Sequence, residues 1–329
     1  MLYVENALKW NSLVEDKLKL FQDIVWIDNY KNIFDKKFPL GKREKIIIFA
    51  KLRWNCLTKA PEDYWHEKNS YFFKNTLNCI FDCRYCYLKW AFKNDFPVYF
   101  FNYSDMKKEI EEKIKLEQNI NKLMPNFDWK LWFYSSDYSD NLAMNWISNF
   151  VEEFVPFFDN FENIWMEIRT KSINIKPILD LWFIPQNTEI AFSLNPEVLI
   201  NKYEKWVANL KDRIKTVNFL LEKGYKVWLR FLPLLPVKNY KQIYDDFLEY
   251  VKKEIDFSKL YSVFASGLLY TEADYLKLLE KDPYFDVLYY LNKYWDGFVR
   301  EKDEVRLRFY NKFKNIRTDT MICLDEIWN

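Results

Sequence analysis

Glycine is nearly missing from this chain of 329 residues, with four in all. Neither G-x-G-x-x-G nor a Walker A sequence occurs, so the usual phosphate cradles, which need glycine for close backbone approach, are excluded. Histidine occurs once, at His66, with no chemical partner nearby, and it reads as a surface or packing residue. Net charge is all but absent: 49 Lys and Arg face 48 Asp and Glu, for a formal charge of +1. No global field then draws the chain to nucleic acid, and any such binding needs a local patch. The longest purely apolar runs, such as residues 46–50, fall far short of a membrane span. Residues 1–10 are short and carry Glu5 and Lys9, which does not read as a signal peptide. Five cysteines, three of them clustered, do not make a disulfide framework. A thiolate cluster argues for a reducing compartment, with the cytoplasm as the default expectation and no membrane.

What is present in quantity is apolar and aromatic surface, 50% and 20% of residues, enough for a sizeable core. The cysteine cluster organises the rest. It reads Cys79-Ile80-Phe81-Asp82-Cys83-Arg84-Tyr85-Cys86-Tyr87, with spacings of three and two, just after a strand-like run at 71–77. A loop of this size can turn three thiolates toward one point, and thiolates suit iron–sulfur clusters or zinc. Sites closed by protein alone want a fourth ligand. The remaining candidates, His66, Cys56 and Cys323, lie at no usual zinc-finger spacing. Three ligands without a fourth leave one iron of a [4Fe–4S] cubane open for a substrate or cofactor. A non-enzymatic zinc or iron–sulfur protein is the competing reading. Cys56, alone after Arg53-Trp54-Asn55, reads as a small buried hydrophobe.

Along the chain, residues 2–21 have helical spacing, and 24–27 and 46–52 read as short strands. After the cysteine loop, strands and helices alternate. A helix is expected from Ser104 or Asp105, with Met106, Ile110 and Ile114 on one face. A strand at 130–134 leads to a long helix capped by Asp140. Further strands are expected at 165–168, 189–194, 227–232 and 260–269. Helices follow them at 175–183, up to Leu221 with a break near Trp206, at 240–251 and at 271–279. Gly224 ends its helix as a glycine at C′ should. Such alternation implies an α/β fold with a parallel sheet. Six units starting at the cysteine strand fit a partial (β/α)6 TIM-like barrel over 69–285, with a small α/β N-terminal extension at 1–68 and a C-terminal extension at 286–329.

Barrels of this kind collect chemistry at the C-terminal ends of their strands. Polar residues recur there: the cysteine loop, Ser135-Ser136-Asp137, Arg169-Thr170-Lys171, Ser193-Leu194-Asn195 and Arg230. For any one of them, ordinary turn or capping chemistry competes with function.

The C-x3-C-x2-C motif followed by an aromatic resembles the signature of radical S-adenosylmethionine (SAM) enzymes. Beyond it, Asn78 to Leu88, Glu167-Ile168-Arg169-Thr170-Lys171-Ser172-Ile173-Asn174-Ile175 and Ser193-Leu194-Asn195-Pro196-Glu197-Val198 look like the spore photoproduct lyase family. Gly224-Tyr225 and the Pro233 to Pro236 stretch fit too, in order, over about residues 45–280. The resemblance implies a [4Fe–4S] cluster held by Cys79, Cys83 and Cys86, with SAM contacts at Tyr85, Ser136, Asp137, Lys171 and Ser193. Asn195 and Arg230 join that cofactor-binding set from their places at strand ends. The resemblance further implies reductive cleavage of SAM to a 5′-deoxyadenosyl radical, an electron donor such as flavodoxin or ferredoxin, and a radical relay at Tyr85 and Tyr87. Family members also use a cysteine just past the second barrel strand as hydrogen donor. Residues 131–142 hold none here.

The expected substrate is accordingly a DNA or nucleotide lesion, with a peptide or small metabolite as the alternative. Between 298 and 317, Phe309, Tyr310 and Phe313 interleave with Arg300, Lys302, Arg306, Arg308, Lys312, Lys314 and Arg317, as in some nucleic-acid surfaces. A helix with a solvated charged face explains the same pattern.

Overall fold

The computed structural model describes residues 1–36, 46–61, 69–126, 129–317 and 320–323, and His66 lies outside them. The chain forms two compact units. One comprises Met1–Ile80, Ala91–Arg169 and Asn174–Thr188, the other Phe81–Trp90, Thr170–Ile173 and Glu189–Asn329.

The first unit contains a five-stranded sheet in the order Ile24–Ile27, Leu2–Glu5, Ile47–Ala50, Val98–Phe100 and Thr76–Leu77. All of its pairings are parallel except the last. In a second run, Leu57–Lys59 pairs antiparallel with Ser70–Phe73, which pairs parallel with Leu131–Tyr134, itself parallel to Ile164–Thr170. Leu131–Tyr134 is apolar and buried at every position, as a strand covered on both faces must be. Met106, Ile110 and Ile114 form the inward stripe of helix Tyr103–Leu123. Phe154 holds the centre, with its ring centroid 4.9 Å from Phe73, 5.0 Å from Tyr103 and 5.1 Å from Phe150.

Three expectations fail here, each for a local reason. Residues 2–5 are a strand, and the helix is only Ser12–Leu18; Leu2 and Val4 find β partners on both sides, which overrides helical spacing. The helix expected to start from Ser104 or Asp105 begins at Tyr103 behind Asn102. Asn102 does not cap it, because its amide is spent on the Leu52 backbone, accepting from N at 2.8 Å and donating to O at 3.1 Å. Asp140 accepts from Ala143 N at 3.0 Å, but it does so in a turn ahead of the helix, whose N-cap position is Met144 with no side-chain cap. The expected long helix is split into Asn145–Ser148 and Phe150–Phe158 by Asn149 at φ +50°.

The second unit carries the parallel strands Thr188–Ser193, Val227–Leu234, Ser262–Gly267 and Met321–Cys323. Helices Glu197–Tyr203, Leu210–Glu222 and Tyr240–Glu254 connect the first three. The break near Trp206 is there, with that residue at φ +65°, and Gly224 ends its helix at φ +85°. The α/β class holds in both units. The helix expected at 175–183 shrinks to Lys176–Leu179.

A small antiparallel sheet of Leu269–Thr271, Phe298–Glu301 and Leu291–Lys293 follows. Helix Asp303–Lys314 then buries Val305, Arg306, Phe309 and Phe313. Phe309 and Phe313 pack on Tyr244 at 5.0 and 6.2 Å, so two of the three aromatics that read as a stacking surface are core. Arg308 and Lys312 pair with Asp245 at 3.0 and 2.7 Å. Among the described residues no helix is long and apolar enough to cross a membrane.

Glu301, fully buried, lies over Gly267, where a Cβ would fall inside the contact radius of its carboxylate. Any larger residue at 267 would force that carboxylate to move. Burial pushes the Glu301 carboxyl up to about 7, against the opposing pull of Arg306 and Arg300. A carboxyl with a higher pKa folded than unfolded binds its proton more tightly in the native state. Its contribution to stability is therefore whole below the unfolded value of 4.5 and is lost as pH rises through about 7. Chemical denaturation of the wild type should show this loss, on the order of 3 kcal/mol at most. In Glu301→Gln the dependence across that window should flatten; an unchanged slope would refute the assignment.

Candidate active site

In the second unit, Asp82–Cys83 and Glu204–Lys205 form a two-residue antiparallel ladder, with Cys83 opposite Glu204. Arg84 N donates to Tyr203 O at 2.9 Å, and Cys86 N closes a turn onto Cys83 O at 3.1 Å. Main-chain bonds thus place two of the three sequence-predicted thiols. Tyr270 OH fastens the turn from behind, donating to Tyr85 O at 3.1 Å. Arg84 adds a bidentate pair with Asp282, both contacts at 2.8 Å. Cys83 is buried, and Cys86 and Cys79 are partly exposed.

Behind this turn lies a buried polar cluster. The Tyr85 hydroxyl donates to Glu204 Oε1, Asn195 Nδ2 donates to the same oxygen at 3.1 Å, and Arg213 Nη2 donates to Glu204 Oε2 at 2.8 Å. Arg213, fully buried, is satisfied throughout: Nη1 donates to Ser193 O and Nε to Ala208 O, each at 2.8 Å. Lys171 holds its ammonium 5.7 Å from the Tyr85 ring centroid, and its carbonyl accepts from Ala208 N at 3.4 Å. Burial pushes the Glu204 carboxyl up, but Arg213 and Lys171 overcome it and hold the group below its ordinary value. Burial likewise pushes Lys171 down, and Cys83 and Glu204 more than offset it, leaving the ammonium above its usual range. Burial, then Glu204, raises the Tyr85 phenol well above the ordinary tyrosine value. Burial raises the Cys86 thiol as well, with Lys171 and Lys89 opposing.

Five predicted residues therefore sit in or against one network: Tyr85, Cys83, Lys171, Ser193 and Asn195. Tyr87 is 39% exposed. Arg230 lies mid-strand, since the strand continues to Leu234, and pairs in register with Ser193 and Phe264. Its guanidinium stacks 4.0 Å from the Trp228 ring centroid. Cys79, Ser136 and Asp137 belong to the first unit. Cys79 lies close enough to Tyr99 for its charge to help burial hold that phenol up. Ser136 Oγ accepts from Arg169 N at 3.2 Å, and Asp137 Oδ1 is 3.6 Å from Arg169 Nη1.

Glu204 and Arg213 escaped the sequence reading. A signal existed: Arg213 falls on the inward stripe of its helix with Leu210, Val217 and Leu220, and a charge on an apolar stripe demands a buried partner. Cys56 is buried in the first unit, its N donating to Glu109 Oε2 at 2.8 Å. Burial and then Glu109 raise its thiol pKa, as expected of a packing cysteine.

The donor set suits an iron–sulfur cluster in kind. Cys79, Cys83 and Cys86 are free of disulfides, and Lys171 and Lys89 partly offset the burial that raises the Cys86 thiol. Among the described residues no group of three or more His, Cys, Asp or Glu is gathered to hold a metal ion. A second mark of a binding site is Asn195 Oδ1, which is buried and has no hydrogen-bond partner among the described residues.

A curated spore photoproduct lyase of Clostridium acetobutylicum is 25% identical over 175 residues, covering 52% of this chain and 48% of that protein. The chain thus spans about half the length of the curated relative it matches. Two solved structures share the fold over 98% of this chain and 97% of theirs, at 15% identity. One is spore photoproduct lyase complexed with dinucleoside spore photoproduct, with a TM-score of 0.77. The other is a mutant with bound AdoMet and the same dinucleoside, at 0.76. The family model for spore photoproduct lyase matches residues 66–264, more than half of the sequence, and the chain belongs to the spore photoproduct lyase family.

Proposed function

We propose that the protein is a radical SAM enzyme related to spore photoproduct lyase, built on a partial (β/α)6 barrel, with Cys79, Cys83 and Cys86 holding a [4Fe–4S] cluster. The observation that carries this reading is the Tyr85–Glu204–Arg213 network packed behind the Cys83–Cys86 turn, with Lys171 beside it. Bound by those thiolates, the cluster supplies one electron for reductive cleavage of S-adenosylmethionine. The chain's own residues bind and orient. The Lys171 ammonium, kept charged by Glu204 and Cys83, is suited to pair with an amino-acid carboxylate. Ser136, Asp137, Ser193, Asn195 and Arg230 complete the cofactor set. Tyr85 gives its hydroxyl hydrogen bond to Glu204 and serves to hold the site, whereas Tyr87, 39% exposed, is the more accessible of the two rings. The electron comes from a flavodoxin- or ferredoxin-like donor in a reducing, cytoplasmic setting.

A nucleic-acid or nucleotide lesion is the favoured substrate. In the second unit Trp295, Tyr284 and Tyr289 are 96%, 85% and 73% exposed, and bare aromatic faces stack well on bases. A peptide or small metabolite is the second reading. It is favoured by the absence of cysteine between residues 131 and 142 and by the near-neutral charge.

Anaerobically purified protein should be brown with about four irons per chain, and Cys83→Ala should strip the iron while most of the fold remains. One zinc and no iron would sink the reading. With dithionite and SAM, slow release of 5′-deoxyadenosine is expected without substrate. Lys171→Ala should weaken SAM binding by roughly 1.5–3 kcal/mol; unchanged affinity removes Lys171 from the site. Supplied with spore photoproduct dinucleotide, the wild type should release little thymine dinucleotide under conditions that support SAM cleavage. Efficient repair that survives Cys56→Ala would show that no cysteine donor is required.

A further inference from the structure

A side-chain amide has two faces of opposite chemistry: its nitrogen donates and its oxygen accepts. Which way Asn195 turns decides what it can bind. Its neighbour Glu204 settles the matter. An ionised carboxylate only accepts, so the group it meets on Asn195 at 3.1 Å must be Nδ2. Oδ1 is thereby turned away from the carboxylate, and it is the atom left buried without a partner among the described residues. Asn195 itself is 1% exposed, so water does not freely supply the missing bond, and an unmade bond at a buried acceptor costs free energy.

Glu204 is not free to adjust. Arg213 Nη2 pins Oε2 at 2.8 Å, and Arg213 is pinned in turn to the carbonyls of Ser193 and Ala208. The Tyr85 hydroxyl shares Oε1. The rigid path therefore runs from the backbone of strand Thr188–Ser193 through Arg213 and Glu204 to the Asn195 amide, and back to the same stretch of chain two residues past that strand.

We propose that Glu204, held by Arg213, is a positioning residue that locks the Asn195 amide with its oxygen presented, so that Asn195 accepts a hydrogen bond from a neutral O–H or N–H donor on the nucleoside part of S-adenosylmethionine. The inference rests on the SAM reading above. Charge selects the donor class. Lys171 and Arg213 already stand at this network, and a second ammonium beside them would be repelled, whereas a hydroxyl or exocyclic amine brings no charge. Glu204 touches no ligand in this scheme; it acts by removing one of two amide orientations.

The probe is 5′-methylthioadenosine, which carries the nucleoside without the amino acid. Its 2′-deoxy, 3′-deoxy and N6-dimethyl analogues each lack one donor. Calorimetry would be run on anaerobically reconstituted protein, with circular dichroism confirming that each variant folds. Wild type should bind one analogue about tenfold more weakly than the parent, as expected for one hydrogen bond to a buried acceptor; which analogue it is separates a ribose O–H from an adenine N–H. Asn195→Ala should bind the parent about tenfold more weakly and no longer discriminate. Glu204→Gln, whose amide can donate or accept, should lose most of the discrimination although Asn195 is intact.

The reversed pair Asn195→Asp with Glu204→Gln should regain discrimination, because the new amide donates to the new carboxylate and leaves an acceptor oxygen presented. A role in folding alone does not yield that recovery. Discrimination unchanged in Glu204→Gln, or persisting in Asn195→Ala, or absent from the folded reversed pair, overturns the inference while leaving SAM binding standing. Wild type that binds neither SAM nor the probe overturns both.

Discussion

The second unit depends on one buried ion pair. Glu204 and Arg213 are each almost wholly inaccessible, and taking two charges out of water is repaid only when every donor and acceptor is matched. Here they are nearly all matched. Arg213 spends its guanidinium on two carbonyls and one carboxylate oxygen, and Glu204 gathers a phenol, an amide and a guanidinium. A hydrocarbon pair would fill the same space at lower desolvation cost, but it could orient neither Tyr85 nor Asn195. The pair is better understood as a device for fixing directions than as a source of stability.

That device links a helix, a strand end and the cysteine turn. Arg213 comes from helix Leu210–Glu222, Ser193 from the strand, and Glu204 from the short ladder opposite Cys83. The break at Trp206 makes the arrangement reachable. Helix Glu197–Tyr203 must stop there so that the chain can run extended past the turn before the next helix begins.

Strand positions were legible in the sequence because fully buried strands are short, continuous apolar runs. Leu131–Tyr134, buried at every position, was found to within one residue; Ile24–Ile27 matched as an apolar run although its two central side chains are exposed. Helix lengths were less legible, since apolar periodicity passes through a break without notice: Ile147 and Phe150 share a stripe although Asn149 turns the chain between them. The same blindness affected the C-terminal stretch, where Phe309 and Phe313 count as aromatics among basic residues in sequence but point inward in space. Of the site, thiol spacing and polar strand ends were visible because they are local patterns. The Glu204–Arg213 pair joins two residues across a helix boundary, and no spacing rule encodes that meeting.

The cysteine turn is tethered by peptide groups: the ladder to Glu204–Lys205, Arg84 N to Tyr203 O, Cys86 N to Cys83 O, and Tyr85 O to Tyr270. Every amino acid except proline brings the same amide and carbonyl. Positions such as Ile80 and Phe81 are thus open to evolutionary drift without displacing the thiols' backbone. A scaffold fastened in this way can exchange most of its side chains and keep its path, which is how 15% identity and a TM-score of 0.77 coexist.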